Sequence, residues 1–143
     1  MVNEIKLRLI YVYRVMDVMD KFKIVFYSKV RFVKDNNLKY EGGEVYAFAG
    51  QDPDYWSFFE ACDLVKVLEP EFDYTSVKMW WKHEGGLLEK DLKQFRDDGD
   101  AHELALYAIG YKCDVEIYCE PKVEGEDTFM TKYIEKGKGV KCV

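Results

Sequence analysis

The chain has 143 residues, of which 48% are hydrophobic and 34% are charged, and its formal net charge at pH 7 is −6. This length fits one domain with short extensions, and the hydrophobic content is enough to build a core without disulfide or metal staples. The acidic balance disfavours a nucleic-acid phosphate backbone as the partner, unless the basic residues are segregated on one face.

The N-terminal segment lacks the pattern of a signal peptide or a membrane span. Glu4, Lys6 and Arg8 interrupt its first apolar stretch, and no uncharged run in the chain approaches the length of a membrane-spanning helix. We therefore expect an intracellular protein, in the nucleus or the cytoplasm, that does not bind a membrane.

The cysteines indicate core thiols in a reducing compartment rather than a metal site or a disulfide. They form no C-x-x-C pair, and only two histidines could add imidazole ligands, so we expect no metal and no cofactor. Cys113 and Cys119 fall on one predicted strand about 20 Å apart, which is beyond the reach of a disulfide. The other two cysteines are Cys62 and Cys142.

Composition divides the chain into three segments. Residues 1–21 form an N-terminal extension, residues 22–120 the folded domain, and residues 121–143 a charged tail that we expect to be flexible. The extension alternates around Leu7 as a strand would, although its later apolar residues also suit a helix.

The first half of the domain is predicted to begin with strands. Residues 22–33 are rich in β-branched and aromatic side chains, which indicates one long strand or a hairpin bent near Tyr27 and Ser28. A polar turn follows at 34–37, and a second strand is predicted over 44–49.

The clearest helix signal begins at Asp52. This residue is a suitable N-cap, Pro53 fits the first helical position, and Pro70 ends the helix. The apolar residues recur at helical spacing on one stripe, with Phe58 and Ala61 beside it. The stripe is formed by Tyr55, Phe59, Cys62, Val65 and Leu68.

The second half alternates strands with one short helix. Strands are predicted over 75–82 and 113–119, with a short irregular strand within 87–95. The helix begins at Asp100, which has the spacing of a capping box, and stops at Gly110. Its inward-facing residues are expected to be Ala101, Leu104, Ala105 and Ala108.

This order of elements is that of the ubiquitin-like β-grasp fold. We therefore predict an α+β domain with a mixed sheet of four to five strands and two helices on one face.

Five sequence runs resemble, in their order and spacing, the Phox-and-Bem-like domain at the N-terminus of plant Mutator-type transposases. The resemblance covers residues 22–120 and implies a β-grasp scaffold for protein–protein association, with itself or a related domain as partner, and a homo-oligomer as one outcome. The runs are YEGGEV at 40–45, DPDYWSFFEACDLVK at 52–66, VKMWWK at 77–82, DDGDAHELA at 97–105 and VEIYCE at 115–120.

The resemblance also implies a front-to-back mode in which basic residues of one domain meet acidic residues of the next. The loop at 82–86 departs from the family because it holds one carboxylate where an acidic loop is usual. The acidic residues have two readings, as helix caps alone or as caps that also bind a partner. The basic candidates are Lys21, Lys23, Lys29 and Arg31, and the acidic candidates are Asp97, Asp98, Asp100 and Glu103.

The strand at 75–82 places a tryptophan between two lysines on the face turned away from the predicted core. If exposed, this face would anchor a protein interface; the alternative is that the N-terminal segment or a helix covers it. An exposed face would also suit single-stranded nucleic acid, which stacks on aromatic rings between basic residues, and this is the second functional hypothesis. The three residues are Lys78, Trp80 and Lys82.

The sequence gives little support to catalysis. It contains no P-loop, no G-x-G-x-x-G run and no recognisable nucleophile motif beside its histidines. We therefore expect an interaction module rather than an enzyme.

Overall fold

The structure is a computed structural model that describes residues 21–122. The strand or helix predicted before Lys21 and the tail predicted after Lys122 lie outside the described residues, as does Cys142.

The described range contains seven strands, three α-helices and a 3-10 turn. The strands are β1 (Phe22–Ser28), β2 (Arg31–Lys34), β3 (Leu38–Glu41), β4 (Glu44–Gln51), β5 (Val77–His83), β6 (Lys93–Gln94) and β7 (Val115–Pro121). The helices are α1 (Phe58–Leu68), α2 (Leu88–Asp91) and α3 (Asp98–Tyr111), and the 3-10 turn is Tyr74–Ser76.

Five of the strands form one mixed sheet in the order β4-β1-β7-β5-β6. Its central pair, β1 and β7, is parallel, with Ile24 opposite Val115 and Phe26 opposite Ile117, and the other pairs are antiparallel. The first and last described strands thus meet at the centre of the sheet. The predicted α+β class with a mixed sheet is confirmed.

The two longer helices pack on one face of this sheet, as predicted. Phe58 and Val65 of α1 and Leu104 of α3 bury their side chains against Ile24 and Ile117. Burial of this apolar surface is the main favourable term for the fold. The residues predicted to face inward from α3 are all buried: Ala101, Leu104, Ala105 and Ala108.

The opposite face of the sheet is partly covered by a hairpin that the sequence did not predict. Strands β2 and β3 pair with each other as a separate sheet, and their Phe32 and Leu38 pack against Trp80 and Tyr118. The backbone N–H of Val30 donates to the carbonyl of Cys119 at 3.1 Å, which ties the hairpin to β7. The sheet therefore buries apolar side chains on both faces.

Residues 22–33 form neither one strand nor a hairpin, so this prediction was wrong in its pairing. β1 ends at Ser28, and Lys29 adopts a left-handed conformation with φ of 58°. This turn redirects the chain, so that β2 leaves the main sheet and pairs with β3 across the predicted polar turn.

Helix α1 begins later than predicted. Its N-cap is Ser57, whose side chain accepts a hydrogen bond from the backbone N–H of Glu60 at 3.0 Å. Asp52 instead accepts from the N–H of Asp54 at 2.9 Å, in a turn that precedes the helix. Both residues are good caps, and a local pattern does not decide between two such candidates.

The buried stripe of α1 is also rotated from its predicted position. Cys62 and Val65 are buried as expected, but Phe59 and Leu68 are more than half exposed. Phe58 is buried instead and contacts Phe95 across the core, with ring centroids 5.4 Å apart. A wide apolar helix fits more than one orientation, and the tertiary contacts choose among them.

The segment 87–95 forms the short helix α2 and the two-residue strand β6 rather than one irregular strand. Leu92 joins the cluster between the sheet and the β2–β3 hairpin, which we call the hairpin-side cluster. Phe95 joins the core between the sheet and the two longer helices, which we call the helix-side core.

Within residues 21–122, every helix is too short or too polar to span a membrane.

Candidate interaction surfaces

The basic candidates lie at the two ends of β1, and each forms an ion pair within the chain. Lys23 approaches Asp114 at 3.2 Å, and Lys29 approaches Glu71 at 3.9 Å. The pairs are at the surface, where such contacts contribute little to stability and exchange readily. The remaining two pairs are Lys21 with Asp52 at 3.1 Å and Arg31 with Glu41.

The acidic candidates lie together at the start of α3. Asp97 is the N-cap and accepts from the backbone N–H of Asp100 at 3.0 Å. Asp98 accepts from the backbone N–H of Phe58 at 2.8 Å, which joins the start of α1 to the start of α3.

Two ion pairs hold the rest of this acidic group. The carboxylate of Asp100 accepts from the guanidinium and the backbone N–H of Arg96, with the shortest distance at 2.8 Å. Glu103 pairs with Lys93 at 2.9 Å, and both side chains are about half exposed. The acidic group does cap the helix, but the cap is Asp97 and not Asp100 as the sequence predicted, so the helix begins at Asp98.

The face that carries Trp80 is covered, and the expectation of an exposed anchor there is corrected. Trp80 is 0% exposed beneath the β2–β3 hairpin and Leu92, and Lys82 is also buried. Of the two readings, the covered one holds, and within residues 21–122 the cover is mainly the hairpin. An aromatic platform for single-stranded nucleic acid is absent here because the ring is not accessible; Lys78 alone of the three is partly accessible.

A buried polar network lies beside this covered face. Glu116 on β7 accepts from the ammonium of Lys82 at 2.6 Å and from the hydroxyl of Tyr118 at 2.8 Å, and Tyr27 approaches its other oxygen at 3.5 Å. Burial and the adjacent Glu116 charge raise the pKa of Tyr27 to about 12. The same two causes, in the same order, raise the pKa of Tyr118.

A second buried carboxylate lies at the C-cap of α1. Glu69 accepts from the hydroxyl of Ser28 at 2.6 Å and from that of Tyr46 at 2.7 Å. The hydrogen bond to Glu69 is the main cause that raises the pKa of Tyr46 to about 12. Sequence reasoning missed both networks, because their members are far apart in the chain.

An open groove of about 320 Å³ lies at the β5 edge of the sheet. Its apolar wall includes Phe58 and Tyr74, whose ring centroids are 5.6 Å apart. Three cationic side chains also line it: Lys78, Arg96 and Lys122. These three come from separate elements, so no local motif marks the groove.

The described cysteines form no disulfide with one another, and burial raises the pKa of the Cys62 thiol to about 11. Such a thiol stays protonated near neutral pH and is a poor nucleophile. Residues 21–122 contain no group of three His, Cys, Asp or Glu side chains placed to bind a metal.

Comparison with family models, curated proteins and solved structures gives one result. The model of the PB1-like domain matches residues 18–121. No curated protein and no solved structure matches the chain. The matched range contains every strand and helix described above, and the mixed sheet with helices on one face agrees with a ubiquitin-like β-grasp. The chain therefore belongs to the PB1-like family, whose domains are protein–protein interaction modules rather than enzymes.

Proposed function

We propose that this domain associates with a second copy of itself, or with a related domain, by front-to-back charge pairing. Basic side chains at the ends of β1 and the start of β2 in one domain would meet the acidic start of α3 on the next. The observation that carries the proposal is that both charge groups have accessible members, and that Lys23, Lys29 and Glu103 are held only by exchangeable surface ion pairs.

The basic side is accessible in spite of its ion pairs. Arg31 remains 74% exposed, and Lys23 and Lys29 are also near or above half exposed. Because a surface ion pair contributes about 1 kcal/mol or less, a partner carboxylate can replace the internal one at small cost.

The acidic residues can still accept hydrogen bonds from a partner. Asp97 and Asp98 are exposed, and each uses one oxygen, Oδ1, for a backbone N–H among the described residues. A carboxylate accepts several hydrogen bonds, so the second oxygen can accept from a lysine of another molecule. Glu103 is 53% exposed and adds a third carboxylate on the same helix.

The structure also decides which variants test this mode. Reversal of charge at Asp98 would remove the acceptor of the Phe58 N–H and disturb the fold, so Glu103→Lys is the better acidic variant. Lys23→Glu is the basic variant, and Lys90→Glu, at an exposed site on α2, is the matched control. Sedimentation velocity over a range of concentrations measures the assembly.

The proposal expects wild type and Lys90→Glu to self-associate equally, and each interface variant to remain monomeric alone. A mixture of Lys23→Glu and Glu103→Lys should form a heterodimer, because each retains one intact surface. Self-association of both single variants at wild-type strength would exclude this mode, and a monomeric wild type would exclude self-association.

We also propose that the chain derives from a Mutator-type transposase, on the support of the five ordered runs in residues 40–120. Sequencing related genes tests this origin. A transposase catalytic region fused downstream of the same domain would support it, and its consistent absence would refute it.

A further inference from the structure

The groove at the β5 edge has no role in the front-to-back mode, and its chemistry is different from that of the charge groups. It combines an aromatic wall with three cations and an incomplete sheet edge. We propose that it is a second binding site, which takes a short extended segment of a partner protein rich in acidic residues and carrying an aromatic or large apolar side chain.

The sheet edge is incomplete because β6 is shorter than its neighbour. Strand β5 has seven residues, but β6 pairs only with Trp80 and Trp81. The N–H of Phe95 adds one hydrogen bond to the carbonyl of Met79 at 2.9 Å, after which the chain turns into α3. Among the described residues, no strand lies beside Val77 and Lys78 on this edge.

An extended peptide fits this gap by continuing the line of β6. Strand addition to an open sheet edge gives affinity through main-chain hydrogen bonds and specificity through side-chain pockets. The gap beside β5 spans Val77 and Lys78, which is two residues or roughly 7 Å. The bound segment is therefore short.

The aromatic wall supplies the side-chain pocket. The rings of Phe58 and Phe59 each meet Tyr74 edge-on, with centroids 5.6 Å and 5.4 Å apart, and Phe95 lines the floor. Phe59 and Tyr74 are 55% and 41% exposed. Large accessible rings beside a groove are typical of the sites at which a partner buries an aromatic anchor.

The charge of the groove selects an acidic partner. Lys78 pairs through its backbone with Glu120 of β7, but its ammonium makes no ion pair or hydrogen bond with any side chain in 21–122. The ammonium of Lys122 donates to the backbone carbonyl of Thr75 at 3.0 Å and forms no ion pair with another described residue. Arg96 is paired with Asp100 but remains 65% exposed. Complementary carboxylates would raise both the association rate and the specificity.

A peptide is favoured over a nucleic acid by the sheet edge and not by charge, since Asp97 and Asp100 beside Arg96 and the net charge of −6 act on phosphates and carboxylates alike. The open strand edge offers hydrogen bonds to a peptide backbone, which a nucleic acid does not match.

The test is a fluorescence anisotropy titration of the full chain with a labelled peptide of alternating Asp and Phe residues. We expect saturable binding that Lys78→Glu weakens about tenfold, which is the value of one charge-pair contact of about 1.4 kcal/mol. Lys90→Glu is the charge-matched control and should bind like wild type. Lys23→Glu should also bind normally, so this result is independent of the front-to-back mode.

Three outcomes would overturn the proposal. The first is equal binding by Lys78→Glu and Lys90→Glu. The second is displacement of the peptide by oligo-dT at equal concentration, which would indicate a nucleic-acid site. The third concerns the chain's own acidic run at Glu124, Glu126 and Asp127. If neutralising these three residues to Gln and Asn strengthened peptide binding about tenfold or more, that run and not a partner would be the occupant.

Discussion

Lys82 and Glu116 face each other across strands β5 and β7, with their charged atoms 2.6 Å apart and their side chains only 7% and 13% exposed. The hairpin-side cluster lies next to this pair and limits its access to water. Lys82, which the sequence predicted to lie on an exposed sheet face, thus forms an ion pair inside the domain.

Removing one member of this pair should destabilise the domain strongly. Glu116→Gln leaves the Lys82 ammonium buried without a counter-charge, so we expect the free energy of unfolding to fall by about 3 kcal/mol. Urea denaturation followed by tryptophan fluorescence measures this change. Glu103→Gln, which breaks the exposed pair with Lys93, is the control and should cost less than about 1 kcal/mol. Similar losses in both variants would show that the Lys82–Glu116 pair is not desolvated in solution.

The two glycines of the turn before β4 should differ in their tolerance of a side chain. A Cβ at Gly43 would lie 2.2 Å from the carbonyl oxygen of Ser28, whereas a Cβ at Gly42 meets nothing within 4 Å. Both have positive φ, at 90° and 72°, so alanine is strained at each by about 1–2 kcal/mol. The free energy of unfolding of Gly43→Ala should therefore fall by about 2 kcal/mol more than that of Gly42→Ala, because overpacking typically costs this much. Equal melting temperatures of the two variants would contradict the close approach of β1 and β4 at this point.

The carboxylate of Asp98 should matter to stability more than its exposed position suggests. It accepts from the N–H of Phe58 and so satisfies one of the free donors at the start of α1. Asp98→Ala should cost about 1 kcal/mol, as loss of an N-terminal cap does. Glu103→Ala on the same helix should stay within about 0.5 kcal/mol of wild type. Equal stability of both variants by urea denaturation would mean that water replaces the Asp98 bond without loss.

The tyrosine hydroxyls at Glu116 should make stability fall at high pH. The pKa of Tyr27 is raised from 10.0 to about 12, and that of Tyr118 is also raised, so the folded state holds these protons more tightly than the unfolded state does. The stabilisation is complete below pH 10 and is lost as pH rises towards 12. Tyr118→Phe should flatten this dependence in denaturation curves at pH values across this window.

Tyr55→Phe is the control for the alkaline effect, because Tyr55 is 78% exposed and lies in the turn before α1. It should keep the wild-type slope of stability against pH. A wild-type slope in Tyr118→Phe as well would mean that the hydroxyl ionises alike in folded and unfolded chains.

Local patterns in the chain were enough to predict the order of the main elements and the inward face of α3. Alternation at β5 and β7 and the spacing of Ala101, Leu104 and Ala105 indicate buried faces, because local periodicity fixes which side chains can point together. The ordered runs indicated a resemblance to Phox-and-Bem-like domains. The match to the PB1-like family confirms the domain type. The choice of Asp52 over Ser57 as the helix cap was wrong, because both sites satisfy the same local chemistry.

The cover over the second face of the sheet could not be predicted from local patterns, because it depends on contacts between distant segments. Trp80 alternates as an exposed residue would, but the β2–β3 hairpin crosses over it, and no local signal records that crossing. The groove depends likewise on Lys78, Arg96 and Lys122, which meet because β6 stops after two residues. Burial and charge environment arise from contacts between segments distant in the chain, and for that physical reason a residue's own neighbours in sequence do not determine them.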